Sequence, residues 1–166
     1  MFCVPRDRTL TSNEWKVTTN TEDKLAIQEI IAEYSYAYDS KDAEAFAQLF
    51  LEDAVFEIIV PGESSPTVRL SSRVAISEWA AQRHELNAAS QARHYQSGIL
   101  FNELTAETAS TRTMLLLTRQ IGPDALPLLH LTGVYHDQWR KAREGWRIVR
   151  RTARVDRDPG FAKHWA

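Results

Sequence analysis

The periodicity of the apolar residues changes once along this chain, near Ala92, and that change limits the folds open to it. Before it, Leu25, Ile27, Ile30, Ile31, Tyr34 and Tyr38 recur mostly at three- and four-residue steps, which marks 22–38 as an amphipathic helix. Ser40 and Asp42 offer caps for a second helix with Ala45, Phe46, Leu49 and Phe50 as its apolar positions. Ser71 and Ser72 offer caps for a third, carrying Val74, Ile76, Trp79 and Ala80. Between the last two, Val55 to Val60 is β-branched and aromatic, is bounded by Asp53 and Pro61-Gly62, and reads as a strand. After Ala92, residues 92–104, 109–120, 128–142 and 146–155 read as four strands, broken near Thr105-Ala106, Gly122-Pro123 and Glu144-Gly145. The first break is the weakest, because Glu103 to Ala109 has fair helix propensity. Helices followed by long antiparallel strands predict an α+β fold, with the helices packed on one face of a curled sheet.

A chain of 166 residues suits one domain with a sizeable core. Residues 1–20 read as a mobile tail, 21–157 as the folded domain, and 158–166 as a C-terminal tail. Phe161 and Trp165 in that last segment suit either a lid over a pocket or a contact with a neighbouring subunit. A net charge of −2 and a pI near 6.2 argue against a dedicated nucleic-acid or membrane-surface binder. No stretch approaches the roughly 20 apolar residues of a membrane helix. The short apolar run at the N-terminus does not make a signal peptide. With a lone Cys3, these features predict a cytoplasmic setting. His84, His130, His136 and His164 show no paired ligand spacing, so no metal site is expected.

Three strings stand in order at suggestive spacings: Tyr38-Asp39-Ser40-Lys41-Asp42, then His94-Tyr95, then Gly133-Val134-Tyr135 with Gly145-Trp146-Arg147-Ile148. Together they resemble the SnoaL-like branch of the NTF2-like superfamily, in particular the scytalone dehydratase and hexachlorocyclohexane dehydrochlorinase group, over about residues 22–157. The resemblance implies a cystatin-like cone: a curled, mixed, mostly antiparallel sheet closed by N-terminal helices, with the active site inside. It implies an Asp–His catalytic pair at Asp39 and His94, no cofactor and no metal. It also implies an Arg at position 151 that attracts a departing anion, and a homo-oligomer, dimer or trimer.

The chemistry of such a pair follows from its groups. Histidine titrates near neutral pH, and a carboxylate bonded to one ring nitrogen fixes the tautomer and stabilises the imidazolium formed on proton uptake. Proton removal from carbon while a neighbouring group leaves is the natural reaction: dehydration, dehydrohalogenation or, with reprotonation elsewhere, isomerisation. The same residues admit plainer roles, since Asp39 or Asp42 could cap the second helix and His94 could be a satisfied structural histidine.

Strand alternation places Gln96 and Gly98 on the His94 face unless a bulge intervenes. By family analogy the later strands add Leu115, Leu117, Leu131, Gly133, Tyr135, Arg151, Ala153 and Val155. Tyr34, Tyr38, Phe56, Ile58 and Trp79 close the cone from the helical side and the first strand. Of these, Tyr34, Tyr38, Phe56, Ile58, Trp79, Leu115, Leu117, Tyr135 and Val155 are the expected contacts to a small hydrophobic, cyclic substrate. For Leu115, Leu117 and Val155 plain core packing is an equal reading. Arg151 carries its own alternative, because a parity error on its strand would put it in water with the basic residues around it. The chain also departs from the dehydratase pattern. Thr111, Thr113 and Thr118 stand on the strand of the second His, and Gly133 and Tyr135 replace an inward Ser and Asn. Gly98 stands where an Asn often does. The expected function is a cofactor-independent lyase or isomerase. A polyketide-cyclase-like enzyme and a non-catalytic ligand-binding or structural subunit are the alternatives.

Overall fold

The computed structural model describes residues 20–157. The expected terminal tails, with Cys3, Phe161, His164 and Trp165, lie outside those residues except for Asn20. Helix α1, Thr21–Asp39, turns Ile27, Ile30, Ile31 and Tyr34 of the stripe read from the sequence into the core, while Leu25 near its start stays exposed. Its start is tied to the far end of the sheet, because Asp23 accepts from Lys141 Nζ at 2.7 Å and from Trp146 Nε1 at 2.8 Å. These bonds, the one from Lys141 foremost, hold the Asp23 carboxyl below the ordinary carboxylate range. They also account for the Gly145-Trp146 pair: Gly145 turns the chain at φ 110°, and Trp146 is buried with its N–H on the helix.

Helix α1 ends in a Schellman motif. The Asp42 N–H reaches the Ala37 carbonyl at 3.0 Å and the Lys41 N–H reaches the Tyr38 carbonyl at 3.0 Å, with Lys41 in the left-handed region at φ 63°. Asp42 then caps helix α2, Ala43–Gln48, accepting from the Ala45 N–H at 2.9 Å. That helix is shorter than its apolar pattern suggests. Phe50 opens strand β1, Phe50–Ile59, because it pairs with Ile148 and the Ile148 N–H takes the Leu49 carbonyl at 2.9 Å. Long-range pairing overrides the local helical pattern there. A three-residue strand β2, Val68–Leu70, follows, too short to leave a periodic signal. Ser72 caps helix α3, Arg73–Leu86, through the Ala75 N–H.

The remaining strands are β3 (Ser90–Leu104), β4 (Thr108–Ile121), β5 (Leu128–Ala142) and β6 (Gly145–Val155). The weak break before β4 is a hairpin turn, in which the Thr105 hydroxyl accepts from the Thr108 N–H at 2.9 Å. The six strands form one curled, unclosed sheet in the order β2-β1-β6-β5-β4-β3, parallel only between β1 and β6. Bulges in the long strands supply the bend. One lies between Ser97 and Leu100, where Gly98 takes φ 61° and breaks the expected alternation after Gln96. Another lies on β5: Leu117 pairs with Leu131 but Thr118 pairs with Leu129, so His130 is the extra residue. The helices cover the concave face, and the core lies between the two, with Phe46, Phe50, Ile27, Ile76 and Ile148 fully buried. Each such side chain contributes about 1.5–3 kcal/mol relative to its exposed state.

Candidate active site

Asp39 and His94 meet across 55 residues of sequence. The carboxylate binds His94 twice: Oδ1 lies 2.6 Å from the ring Nδ1, and Oδ2 accepts the His94 backbone N–H at 2.8 Å. The two side chains are 7% and 9% exposed, so this bond is shielded from competing water. Two features set the geometry. The helix end delivers Asp39 as the last residue of α1, and the opening of β3 presents His94 on its inner face. Gln91 adds a clamp by donating to the Asp39 carbonyl at 2.8 Å. With Nδ1 engaged by the carboxylate, Nε2 is the nitrogen left to the cavity, an acceptor in the tautomer that a charged Asp39 favours.

His94 and Asp39 line a cavity of about 560 Å³. All nine expected contact residues line it: Tyr34, Tyr38, Phe56, Ile58, Trp79, Leu115, Leu117, Tyr135 and Val155. Ala153 and Leu131 line it too, while Gly133 is buried beside them on β5. The rings around the dyad pack edge to face. Tyr38 lies 5.1 Å and Tyr34 6.3 Å from the His94 ring, between centroids. Burial pushes the phenols of Tyr34, Tyr38 and Tyr135 up, so all three are neutral donors over the useful pH range.

Arg151 points inward, as the strand parity requires, but it does not line the cavity. It is fully buried and bidentate with Asp137, with Nε–Oδ1 at 2.7 Å and Nη2–Oδ2 at 2.8 Å. Its guanidinium lies 4.0 Å from the Tyr34 ring centroid and 4.3 Å from that of Tyr135, stacked beneath both. Burial alone would pull the guanidinium down, yet Asp137 holds it up and charged. Arg151 is therefore closed off from the cavity, against the direct contact with a departing anion that the resemblance implies. The sequence carried only a parity signal for Asp137, two residues from inward Tyr135; the β5–β6 register, which sets it opposite Arg151, belongs to the tertiary structure.

None of the threonines on the strand of the second histidine lines the cavity. Thr111 accepts from Trp139 Nε1 at 2.9 Å, and Thr113 is wholly buried with its hydroxyl unpaired. Gln96 faces inward and is spent on α1, donating to the Ile31 carbonyl at 2.9 Å and the Ser35 hydroxyl at 2.8 Å. Gly133 has a packing reason: a Cβ there would lie 2.4 Å from the Arg154 carbonyl oxygen. The basic run before and after Arg151 is partly neutralised, Arg150 by Glu57 at 2.9 Å and Lys141 by Asp23. Sequence reasoning missed Lys41, Arg83, Arg119 and His130 on the cavity wall. Arg119 was legible in principle, two and four residues along β4 from Leu117 and Leu115. His130 was not, because a bulge sets its direction. No group of three or more His, Cys, Asp or Glu that could hold a metal comes together among the described residues, and no described helix is long and apolar enough to cross a membrane.

Comparison with known proteins extends the geometry. A family model for the SnoaL-like domain matches residues 19–152. The sequence has no match among curated proteins. Among solved structures, a protein of unknown function from Mycobacterium tuberculosis is similar at 26% identity and a TM-score of 0.70, over 82% of this chain and 73% of that one. An NTF2-like protein with a cystatin-like fold from Novosphingobium aromaticivorans is similar at 26% identity and a TM-score of 0.69, over 81% and 82% of the two chains. A provisionally assigned scytalone dehydratase from the same organism shares the fold at 23% identity and a TM-score of 0.68, over 82% and 85%.

Proposed function

The chain belongs to the SnoaL-like domain family, and on that premise we propose that it is a cofactor-independent lyase or isomerase acting on a small hydrophobic, cyclic compound. The observation that carries the reading is the shielded Asp39–His94 contact opening onto an aromatic cavity. His94 Nε2 takes a proton from a carbon of the substrate. In elimination the C–H electron pair becomes a new π bond as the group on the adjacent carbon departs with its own pair; in isomerisation it delocalises into an adjacent carbonyl as an enolate. Asp39 stabilises the imidazolium, which then returns its proton, to a departing hydroxide in dehydration or to another carbon in isomerisation. Tyr34, kept protonated by burial and supported by hydrogen bonds with Tyr135 and Arg151, donates to oxyanion character developing on the ring.

Proton abstraction can be tested without the natural substrate, by following α-C–H exchange of a cyclic ketone such as 2-tetralone in deuterium oxide by NMR. The unaltered protein is expected to accelerate exchange, and His94→Ala to lower the rate by about 10²–10⁴-fold. Asp39→Asn should do nearly the same: its amide oxygen can accept the His94 backbone N–H, while its NH2 faces Nδ1 and drives the ring proton onto Nε2. Equal exchange by the unaltered protein and His94→Ala would refute the reading.

A further inference from the structure

At one end of the sheet the β4–β5 hairpin outruns both of its neighbours. Strand β3 begins at Ser90, opposite Ile121, and β6 pairs with β5 no further than Val155, opposite Gly133. The cavity wall reaches the same end through Arg119, His130 and Leu86, the last 68% exposed. On the free part of the hairpin, Ile121, Leu126, Leu128 and Leu129 are 69%, 81%, 68% and 62% exposed. Leu128 pairs with Arg119 and Leu129 with Thr118. Arg119 faces the cavity, so Leu128 stands on the concave side and Leu129 on the convex side.

Apolar side chains on both faces of a free ribbon discriminate between occupants. A second protein surface, or another segment of this chain, covers one face and leaves the other in water. A lipid layer surrounds a tip on every side. The backbone of the tip is fitted to such surroundings. Pro123 and Pro127 carry no N–H, the Gly122 N–H reaches the Ala89 carbonyl at 3.1 Å, and Gln120 Nε2 donates to the Gly122 and Pro123 carbonyls at 3.2 and 3.0 Å. Arginines stand at the base of the ribbon. Arg93 is opposite Thr118 on the convex side, Arg119 is on the concave side, and Arg157 donates to the His130 carbonyl at 3.0 Å. Among the described residues none of these three sits in an ion pair. The chain's net charge of −2 conceals this local arrangement.

We propose that the β4–β5 tip docks on the surface of an anionic bilayer, with Ile121, Leu126, Leu128 and Leu129 against the acyl chains and Arg93, Arg119 and Arg157 at the lipid phosphates. Apolar burial and attraction to anionic headgroups act together in such a contact, and the guanidinium fork matches phosphate oxygens. The exposed carboxylate of Asp124 in the turn keeps the insertion shallow, at the headgroup boundary. Arg119 belongs to both the docking surface and the cavity wall, so a bilayer at the tip lies beside the cavity. A small hydrophobic substrate dissolved in lipid then enters without crossing bulk water. The docking stands without the chemistry of His94; the entry route rests on the function proposed above.

Flotation of the protein with vesicles of phosphatidylcholine containing a quarter of phosphatidylglycerol tests the contact. The unaltered protein is expected to float with these vesicles, and less with vesicles of phosphatidylcholine alone. Leu126→Ser together with Leu129→Ser should lower the ratio of bound to free protein by at least about tenfold. Both side chains are exposed and off the cavity wall, so this variant should keep its far-UV circular dichroism and its exchange of 2-tetralone in solution. No binding of the unaltered protein to anionic vesicles, or equal binding by the variant, overturns the proposal. Absent binding with a changed mass of the variant in light scattering would assign the tip to a second copy. Absent binding with a lower thermal midpoint of the variant would assign it to another segment of this chain. His94→Ala should float as the unaltered protein does while losing exchange, so loss of catalysis and loss of membrane contact are separable results.

Discussion

At the scale of single residues, Arg151 shows how a correct direction can lead to an incomplete role. Strand parity turns it inward, and the cost of an isolated buried charge demands a partner. The partner is Asp137, with both ends of the pair fully shielded. Arg151→Met should therefore destabilise the fold by about 3–5 kcal/mol, because it strands a buried carboxylate. Adding Asp137→Leu should recover most of that loss, since a buried ion pair and a well-packed apolar pair are often of similar stability. Urea denaturation of the two variants checks this; a double variant no more stable than the single one would mean that the ion pair fixes the packing of Tyr34 and Tyr135 in a way apolar groups cannot. The Asp39–His94 pair stands in contrast: the resemblance implied both members, while their residue types alone left plainer roles open.

At the scale of elements, caps and turns behaved as local chemistry dictates, and the departures came where two elements meet. Asp42 and Ser72 cap α2 and α3 through their own next turns, a relation that spans three residues and is legible in sequence. Phe50 is a strand residue because β6 pairs with it, a relation across the whole chain that no window of sequence contains. Gly133 belongs to the same class. Its missing side chain lets β6 approach, so Gly133→Ala forces backbone against backbone. We expect that change to cost about 1–3 kcal/mol, as overpacking does, measured as a lower midpoint in thermal unfolding. Unchanged stability would show that β6 can shift outward without penalty.

At the scale of the whole molecule, charge and exposed apolar surface yield two expectations. His84, His130 and His136 are all held below their ordinary value of 6.5, burial being the first cause for each. Their folded-state proton affinity is lower than in the unfolded chain, so the stability tied to their neutral forms is present above that value. It is lost as pH falls through the lowered folded values, because the unfolded chain takes up more protons. Urea midpoints should therefore fall between about pH 7.5 and about pH 5.5, and substituting His84 by Phe should flatten that dependence. The second expectation concerns assembly. On the outer face of the sheet Tyr95 pairs with Leu116, and Met114 lies beside Val134, with Tyr95 and Met114 56% and 63% exposed. Contiguous exposed apolar surface of this kind marks an association face. A homo-oligomer is expected by light scattering at micromolar concentration, and Leu116→Glu should shift it to monomer. A monomeric mass for the unaltered protein would remove the expectation.

The sequence by itself determined the order and type of nearly every element and narrowed the caps of α2 and α3 to two residues each, while the inward rows of the later strands came with the family resemblance. Periodicity, capping and alternation act over a few residues, and a chain states them locally. The two members of the dyad were implied by the family resemblance, which rests on motifs in the sequence and not on periodicity. Only the tertiary structure decided the Asp137 partner of Arg151, the transfer of Phe50 to the sheet, and the turning of His130 by a bulge. The gathering of Lys41, Arg83 and Arg119 at one rim was decided there too. Each of these depends on where residues distant in sequence come to rest, and strand register and bulge position are set by the packing of the whole core.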